Sequence, residues 1–493
     1  MLLDSALTLR TFASELVLLC TILLLLTGDL IFHPRDGRYC LGVTLGGLLL
    51  AAVAALVFPP LEPGALLLAG LTPDTFTVVV KLLGFFFIAL VALLAESEDC
   101  CRSQSTALYG ALLLVAALVL SILGAASDLV LILLALDFLG VIAYIMTAYE
   151  RVNPLASEAA LKYFLYSATL SAVMLFGFSW LYGATGTTNL AGLHAFLDRG
   201  LTSSALPLHV AELEYVILPA LIMAGAGFAM KLAAAPFHQW APDAYQGAPT
   251  ASAAFIAVIP KLAGLATLVR FTLTALPVAT SAHGGDWQAL LAALASITMI
   301  VGSLGALWQT DLKRLLAYSG VAQVGYLLIG VVVQSSTGVA ALLFYLVAYG
   351  VASLGVFAAI IAVTGNSTPL STKISAFAGL HQRAPWVAFS VLVSLLTLIG
   401  MPLTAGFLGK FWLFAGALEA GFPWLTVIAV LSNVVSIAYY WKIIHAMYFQ
   451  QAHSDEPLRI SPWLAAALGI SVALVLLLGV FPPSGLWTLD FRF

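Results

Sequence analysis

Three lysines stand where lysine is costly. Lys231, Lys261 and Lys410 lie in the apolar contexts GFAMKLAAAPFH, FIAVIPKLAGLATLV and TAGFLGKFWLF. An ionisable side chain at membrane depth costs at least ~2.5–3.5 kcal/mol on insertion scales and usually marks an ion or proton path. Removal from water disfavours the ammonium form, whereas a nearby carboxylate favours it. A lysine facing a movable carboxylate can therefore switch between holding a proton and releasing it. Asp137, in LALDFLGVIAYIM, is the obvious carboxylate for Lys231. The chemistry expected is proton transfer, with Asp137 and Lys231 as one site, Lys261 as a central relay and Lys410 as a terminal one.

Polar residues on neighbouring segments could support water between these sites: His238, Tyr318, Gln323, Tyr345 and Tyr349. Taken singly, each tyrosine reads as packing or as an interface anchor. Glu150, Glu158 and Lys162 lie near the ends of two apolar segments. They form either an entry funnel or solvated helix-end charges.

The elements that must position these residues follow from composition. The chain is 62% hydrophobic and 9% charged, against roughly 25% charged in an ordinary soluble domain. Mean hydropathy is +1.07. Apolar runs of about 18–25 residues match a spanning helix, not the ~10-residue alternation of a membrane barrel. The expected fold class is an all-α polytopic membrane protein of about fourteen transmembrane helices. The first run, near 13–32, has no small-residue cleavage site after it and reads as a retained helix. Net charge is −4, and no basic patch points to nucleic acid. None of the four cysteines (Cys20, Cys40, Cys100, Cys101) forms a C-x-x-C pair, so no metal, cluster or structural disulfide is expected. GAGFAM near 225–230 lacks the third glycine and preceding strand of a dinucleotide fingerprint.

Positive charge in the connections sets orientation. Nine basic residues follow odd-numbered spans (Arg35, Arg38, Arg102, Arg151, Lys313, Arg314, Lys373, Arg383, Arg459), and three lie on the other side (Arg10, Arg199, Arg492). Both termini are therefore expected on the non-cytoplasmic side. Lys162, Arg270 and Lys442 lie near helix ends and could snorkel, as could Lys81. The longest polar connection, about 184–213, is too short for a soluble domain, so redox or nucleotide chemistry is expected in other chains.

Two spans are interrupted. The seventh ends in KLAAAPFHQWAPDAYQGAPT, with Pro236 and Pro242; the twelfth contains LIGMPLTAGFLGKF, with Gly400, Pro402, Gly406 and Gly409. Breaks survive in a membrane where protein or a water-filled cavity satisfies the freed backbone. Each broken helix carries one of the lysines and is the fourth member of a five-helix group, an arrangement that points to a transport site near the midplane. Ordinary proline kinks are the alternative.

These segments resemble a known family. SEAALKYFLYSA (157–168), KLAAAPFHQWAPDAYQGAPT (231–250), VIPKLAGLATLVR (258–270), QTDLKRLLAYSGVAQVGYLLIG (309–330) and MPLTAGFLGKFWLF (401–414) look like the antiporter-like subunits of proton-pumping NADH–quinone oxidoreductase (complex I), subunit N among them. The resemblance covers about residues 106–450. It implies two inverted five-helix repeats and one proton channel, and hence four regions: helices 1–3 (1–105), the first repeat (106–275), the second repeat (287–446), and a last helix with its tail (447–493). It implies that Asp137, Lys231, Lys261 and Lys410 carry the proton; Asp137 stands where the family usually has glutamate. It implies that NADH or ferredoxin, FMN, iron–sulfur clusters and quinone belong to partner subunits, with no cofactor or metal in this chain. The expected partners are other membrane-arm subunits, sister antiporter-like subunits, the lipid bilayer, protons and water. The expected location is a bacterial inner membrane, or a thylakoid membrane in a phototroph, since GFSWLYGATG resembles the photosynthetic version. Two other functions compete: a cation/proton antiporter of the Mrp type, and a purely structural membrane subunit whose lysines hold helices together.

Overall fold

The apolar runs fold as helices, which satisfy every backbone N–H and C=O within one segment. The computed structural model describes residues 10–32, 37–58, 70–98, 105–202, 209–276, 284–365, 372–452 and 458–483. In chain order its helices are α1 (Ala13–Phe32), α2 (Gly37–Val57), α3 (Thr75–Glu96), α4 (Thr106–Ala125), α5 (Leu129–Thr147), α6 (Pro154–Thr185), α7 (Leu190–Thr202), α8 (His209–Leu232) and α9 (Trp240–Gly247). They continue as α10 (Thr250–Ala275), α11 (Gly284–Leu307), α12 (Leu312–Val332), α13 (Ser336–Thr364), α14 (Leu380–Arg383), α15 (Pro385–Ile399), α16 (Ala405–Glu419), α17 (Pro423–Phe449) and α18 (Pro462–Val480). Twelve are long and apolar enough to cross a membrane; two shorter apolar stretches, Val216–Leu232 in α8 and Pro385–Ile399, begin the interrupted segments.

Burial sorts the helices by role. α10, α12 and α13 are enclosed almost all round, whereas α1, α6 and α18 turn much of their apolar surface outward. An apolar exterior is the surface a bilayer requires. The enclosed helices carry Lys261 (α10), Gln323 (α12), and Tyr345 and Tyr349 (α13), so the polar residues sit at the centre.

Helix starts are fixed by side-chain caps. Asp128 accepts from the N–H groups of Val130 and Leu131, and Asp311 from that of Arg314. Each aspartate also takes a hydroxyl from a threonine across a single antiparallel bridge: Thr188 for Asp128, Thr372 for Asp311. The same clamp thus starts α5 and α12. α10 begins at a proline with no cap of its own. Glu98, from beyond α3, supplies it, accepting from the N–H groups of Thr250 and Ala251 at 2.7 Å each.

Proline alone does not break these helices. Pro219 and Pro260 lie inside continuous α8 and α10. The breaks come where the backbone turns left-handed: Ala233 (φ 57°) after α8, and Gly400 (φ 85°) and Leu403 (φ 71°) after α15.

Three sequence expectations change. Lys81 and Arg270 do not snorkel. Lys81 is 6% exposed and pairs with Glu15 at 2.6 Å. Arg270, 2% exposed, donates to both Asp74 oxygens at 2.8 and 2.9 Å and to the Gly124 carbonyl at 2.7 Å. Their carboxylates come from other segments, so position near a helix end did not reveal burial. The polar connection 184–213 contains helix α7. The twelfth span, expected to be interrupted within 386–419, is broken at 400–404 into α15 and α16. Cys20 and Cys40 are free; Cys100 and Cys101 lie outside the described residues.

Candidate functional site

Lys231 occupies the last turn of α8, just before the break. Its Nζ lies 2.8 Å from Asp137 Oδ1, on α5, and 2.8 Å from Ser167 Oγ, on α6. Ser171, one turn along from Ser167, donates to the same aspartate oxygen at 2.5 Å. Gly140 makes room: a Cβ there would lie 2.7 Å from the Tyr144 hydroxyl and 3.2 Å from Lys231 Nζ. The break beside this pair is satisfied from outside the helix. Ala235 N–H donates to Thr298, on α11, and the Trp240 indole donates to the Met230 carbonyl.

Lys261 lies midway along α10 and is 2% exposed. Its Nζ donates to the Tyr349 hydroxyl (2.7 Å) and the Gly320 carbonyl (3.0 Å), and it sits 4.9 Å from the Tyr349 ring centroid. Gly320 leaves room here: a Cβ would come within 2.6 Å of Lys261 Nζ and 3.1 Å of the Tyr349 hydroxyl, so the end of the lysine side chain would have to shift. Lys261 therefore has neutral oxygens around it, in contrast to Lys231.

Lys410 closes the broken end of α15. Breaking a helix leaves its last carbonyls without N–H partners, and a cation suits that end of the helix dipole. Lys410 Nζ meets the carbonyls of Leu398 (2.7 Å) and Ile399 (3.2 Å) and Asn433 Oδ1 on α17 (2.5 Å). The ring of Tyr326 lies 4.6 Å away, a cation–π distance.

Polar side chains line the way between the last two lysines, with no direct hydrogen bond between Tyr349 and Tyr345 among the described residues: Tyr349 donates to the Ala257 carbonyl instead. Tyr349 and Tyr345 stand one turn apart on α13. Tyr345 donates to Gln323 Oε1, and Gln323 Nε2 donates to the Leu398 carbonyl at 3.1 Å, the carbonyl that also holds Lys410. Tyr440 lies 3.4 Å from Gln323 Nε2. Between Lys231 and Lys261 the helices touch at Gly264, where a Cβ would lie 3.8 Å from Lys231 Cβ. No direct hydrogen bond joins these two lysines among the described residues.

The other expected residues divide. Glu158 and Lys162 pair at 2.8 Å, and Lys162 also meets Asp243 at 2.8 Å, which in turn binds Arg314 at 2.6 Å. This half-exposed network ties α6, α9 and α12 at one end of the bundle. Glu150 stands apart, accepting from Asn153 at 3.0 Å. His238 and Tyr318 meet each other edge-on, with centroids 6.1 Å apart, and neither bonds to a lysine among the described residues. Sequence reading missed Ser167, Ser171, Asn433, Tyr326, Tyr440 and Asp243. Ser167 and Ser171 carried a faint signal, an i, i+4 pair in an apolar helix; the others carried none.

Comparison with known proteins gives the family and the fold. A family model described as "NADH:quinone oxidoreductase/Mrp antiporter, TM" matches residues 126–436. A curated relative, "NADH-quinone oxidoreductase subunit N 2" of Sorangium cellulosum, is 36% identical over 97% of this chain and 96% of its own length. A chain in the structure of respiratory complex I from Thermus thermophilus with bound aureothin superposes with a TM-score of 0.77 at 30% identity, covering 96% of this chain and 98% of its own. A chain of the Mrp complex from Dietzia sp. shares the fold, with a TM-score of 0.81 at 22% identity over 99% of this chain and 96% of its own.

Proposed function

The chain belongs to the NADH:quinone oxidoreductase/Mrp antiporter membrane family, and on that premise we propose that it is a proton-translocating membrane subunit of a complex I-type oxidoreductase. The observation that carries this reading is the run of three enclosed lysines, each with a different set of partners. Asp137 stabilises the ammonium form of Lys231. Movement of that carboxylate would favour release of the proton toward Lys261, across a gap that water must bridge. Tyr349, Tyr345 and Gln323 then lead to Lys410. The protons are driven by quinone reduction in other subunits, since moving one charge against 100 mV costs about 2.3 kcal/mol.

Several features support the finer parts of this reading. The repeated aspartate–threonine clamp at α5 and α12, and the two broken helices, favour two related five-helix halves, 106–275 and 287–446. Asp137 is half-exposed in the middle of an apolar helix whose outer face is Leu134, Phe138, Val141 and Ile145. Hydrocarbon cannot solvate a carboxylate, so a sister membrane subunit is the fitting cover for that face. NADH or ferredoxin, FMN, iron–sulfur clusters and quinone then belong to partner subunits. The location is a bacterial inner membrane, with both termini on its non-cytoplasmic side.

The test is proton pumping and electron transfer by the purified, assembled complex in sealed vesicles, comparing Lys261→Ala with wild type at matched complex content. Loss of both activities in an intact complex is expected. Normal pumping would remove the relay and favour a structural subunit. The family description also spans Mrp antiporters, and sodium-dependent proton exchange by the vesicles would favour that second reading.

A further inference from the structure

One face of α6 carries Tyr163, Ser167 and Ser171, at steps of four residues that set them one above another. Ser167 meets Lys231, and Ser171 meets Asp137. Tyr163 stands one turn, about 6 Å, nearer the helix start. Beyond it lies Lys162, paired with Glu158 and Asp243 at 2.8 Å each. Those three side chains are 43%, 58% and 32% exposed. Titratable groups in reach of water therefore occupy one level and Lys231 another, with Tyr163 between them.

The level between is dry. The Tyr163 ring lies flat on the indole of Trp240, from α9, with centroids 3.8 Å apart and planes 1° from parallel. The two residues are 1% and 2% exposed. Rings at that separation leave no space for water, and their faces supply none of the two to four polar partners that a buried water needs. Tyr144, on α5, packs edge-on against Tyr163 at 4.7 Å. The indole N–H is already used on the carbonyl of Met230, the residue before Lys231.

The stack joins two unequal elements. α6 is one continuous helix of 32 residues. α9 has eight, and it follows α8 through left-handed Ala233 and a run of turns. Besides the stack, α9 is tied to α6 by the Lys162–Asp243 pair and by the Tyr166 hydroxyl, which donates to Gln239 at 2.7 Å. Both ties are in reach of water, so α9 is the element free to shift.

We propose that the Tyr163–Trp240 stack is the gate on the proton route into Lys231. Closed in this structure, it keeps the water around Glu158, Lys162 and Asp243 from the Lys231–Asp137 pair. It opens when α9 draws Trp240 off Tyr163 and water enters along the α6 face. The inference rests on the proton-translocating role proposed for the chain. An apolar constriction that gates by losing and regaining water is a general device of membrane pathways. A site left open would let protons run back, and a seal that never parted would cut Lys231 off from this side.

The test reads access instead of pumping, so it can fail while Lys261→Ala still abolishes pumping, and the reverse. It uses the assembled complex in sealed vesicles, with the four native cysteines replaced by alanine. Ser167→Cys, an exchange of one atom, puts a thiol beside Lys231. Ser471→Cys, on α18 and equally buried at 1%, is the reference. Silver ion is added on the side that carries Lys162, and unreacted thiols are then captured with maleimide in denaturant and counted by mass spectrometry. Trp240→Ala should raise the reaction rate at position 167 by about tenfold or more, as loss of one aromatic pair allows, and leave position 471 unchanged. Trp240→Phe can still stack and should stay near the wild-type rate. Tyr163→Leu opens the same route from α6 and serves if Trp240→Ala does not assemble. With the stack intact, turnover followed by quinone reduction in the same vesicles should raise the rate at position 167 above its resting value. No rise in Trp240→Ala or Tyr163→Leu overturns the seal. An equal rise at position 471 also overturns it, making these rings general packing. A rise in the variants with none during turnover makes the stack a fixed plug and overturns the gate.

Discussion

Lys231 and Asp137 form an unequal ion pair. Their charged atoms are 2.8 Å apart, yet 6% of the lysine side chain is exposed against 41% of the aspartate. The lysine is fixed from several sides, whereas the carboxylate has room to turn away. Ser171 is the side chain that holds it inward, with its hydroxyl on the oxygen that faces the lysine. The movable half of the pair is therefore the acid.

Asp137→Asn should cut proton pumping by at least about tenfold, because a change of about 1.4 kcal/mol in the balance between charged and neutral lysine is already a factor of ten. Asn keeps the shape and removes the charge. Asp137→Glu should retain much of the activity, since one more methylene still reaches Lys231. Ser171→Ala should act in the opposite sense to a structural lesion: the complex assembles, and the carboxylate leaves the lysine more readily. Pumping and quinone reduction by vesicles, normalised to assembled complex, decide the matter. Equal rates for wild type and Asp137→Asn would exclude the pair from the path.

The Lys261 site makes a sharper steric prediction. Gly320→Ala places a methyl where Lys261 Nζ and the Tyr349 hydroxyl now meet. The lysine must shift by a substantial part of an ångström, and displacement of about 1 Å in a reacting group can cost on the order of 100-fold in rate. Turnover should fall steeply while the complex remains assembled. Tyr349→Phe tests the same contact without crowding and should be milder, removing one hydrogen bond to the amine. If Gly320→Ala pumps normally, Lys261 does not need its present position.

What the sequence revealed, and what it concealed, follows from where each signal resides. A lysine in an apolar run is visible without any structure, because the surrounding residues report the environment. Lys231, Lys261, Lys410 and Asp137 were legible for that reason. Their neutral partners were not. Asn433 lies 23 positions from Lys410 and the Gly320 carbonyl 59 from Lys261, and nothing in either stretch marks an acceptor. The same distance in sequence explains Lys81 and Arg270. Both looked like helix-end anchors because Glu15 and Asp74 belong to other segments. The breaks were legible in part: Pro236 and left-handed Gly400, named from the sequence, lie in them, whereas Pro219 and Pro260 leave their helices intact and the left-handed residues Ala233 and Leu403 carry no sequence signal.

Arg270 supplies a prediction about stability alone. It joins α10 to Asp74 at the start of α3 and to Gly124 at the end of α4, away from the three lysines. Removing one partner of a buried ion pair typically costs about 3–5 kcal/mol. Asp74→Ala should therefore lower the thermal stability and yield of the detergent-solubilised complex strongly. The molecules that do assemble should pump at the wild-type ratio of protons to electrons. Replacing Arg270 and Asp74 together by Met and Leu should recover much of the loss, since an apolar pair of similar volume is often tolerated where a broken ion pair is not. A changed proton-to-electron ratio in the surviving Asp74→Ala complex would mean that this contact shapes the path as well.

The last link concerns how a proton reaches Lys410. Gln323 holds the Tyr345 hydroxyl with its oxygen and the Leu398 carbonyl with its nitrogen, so it spans the space between the tyrosine ladder and the broken end of α15. An amide bridges by donating and accepting at once; a methyl group does neither. Gln323→Leu should leave the Lys410 contacts to Leu398, Ile399 and Asn433 in place while interrupting the line toward Lys261. Pumping should then fall by roughly tenfold or more, taking one lost buried hydrogen-bond pair at about 1–3 kcal/mol. Gln323→Glu is the informative counterpart, because a carboxylate there accepts from Tyr345 and adds a negative charge near Lys410. That charge favours the ammonium form, so the expected result is a proton retained at Lys410 and slow turnover that recovers as the pH of the release side rises. Wild-type rates in both variants would show that protons reach Lys410 by a route that bypasses Gln323.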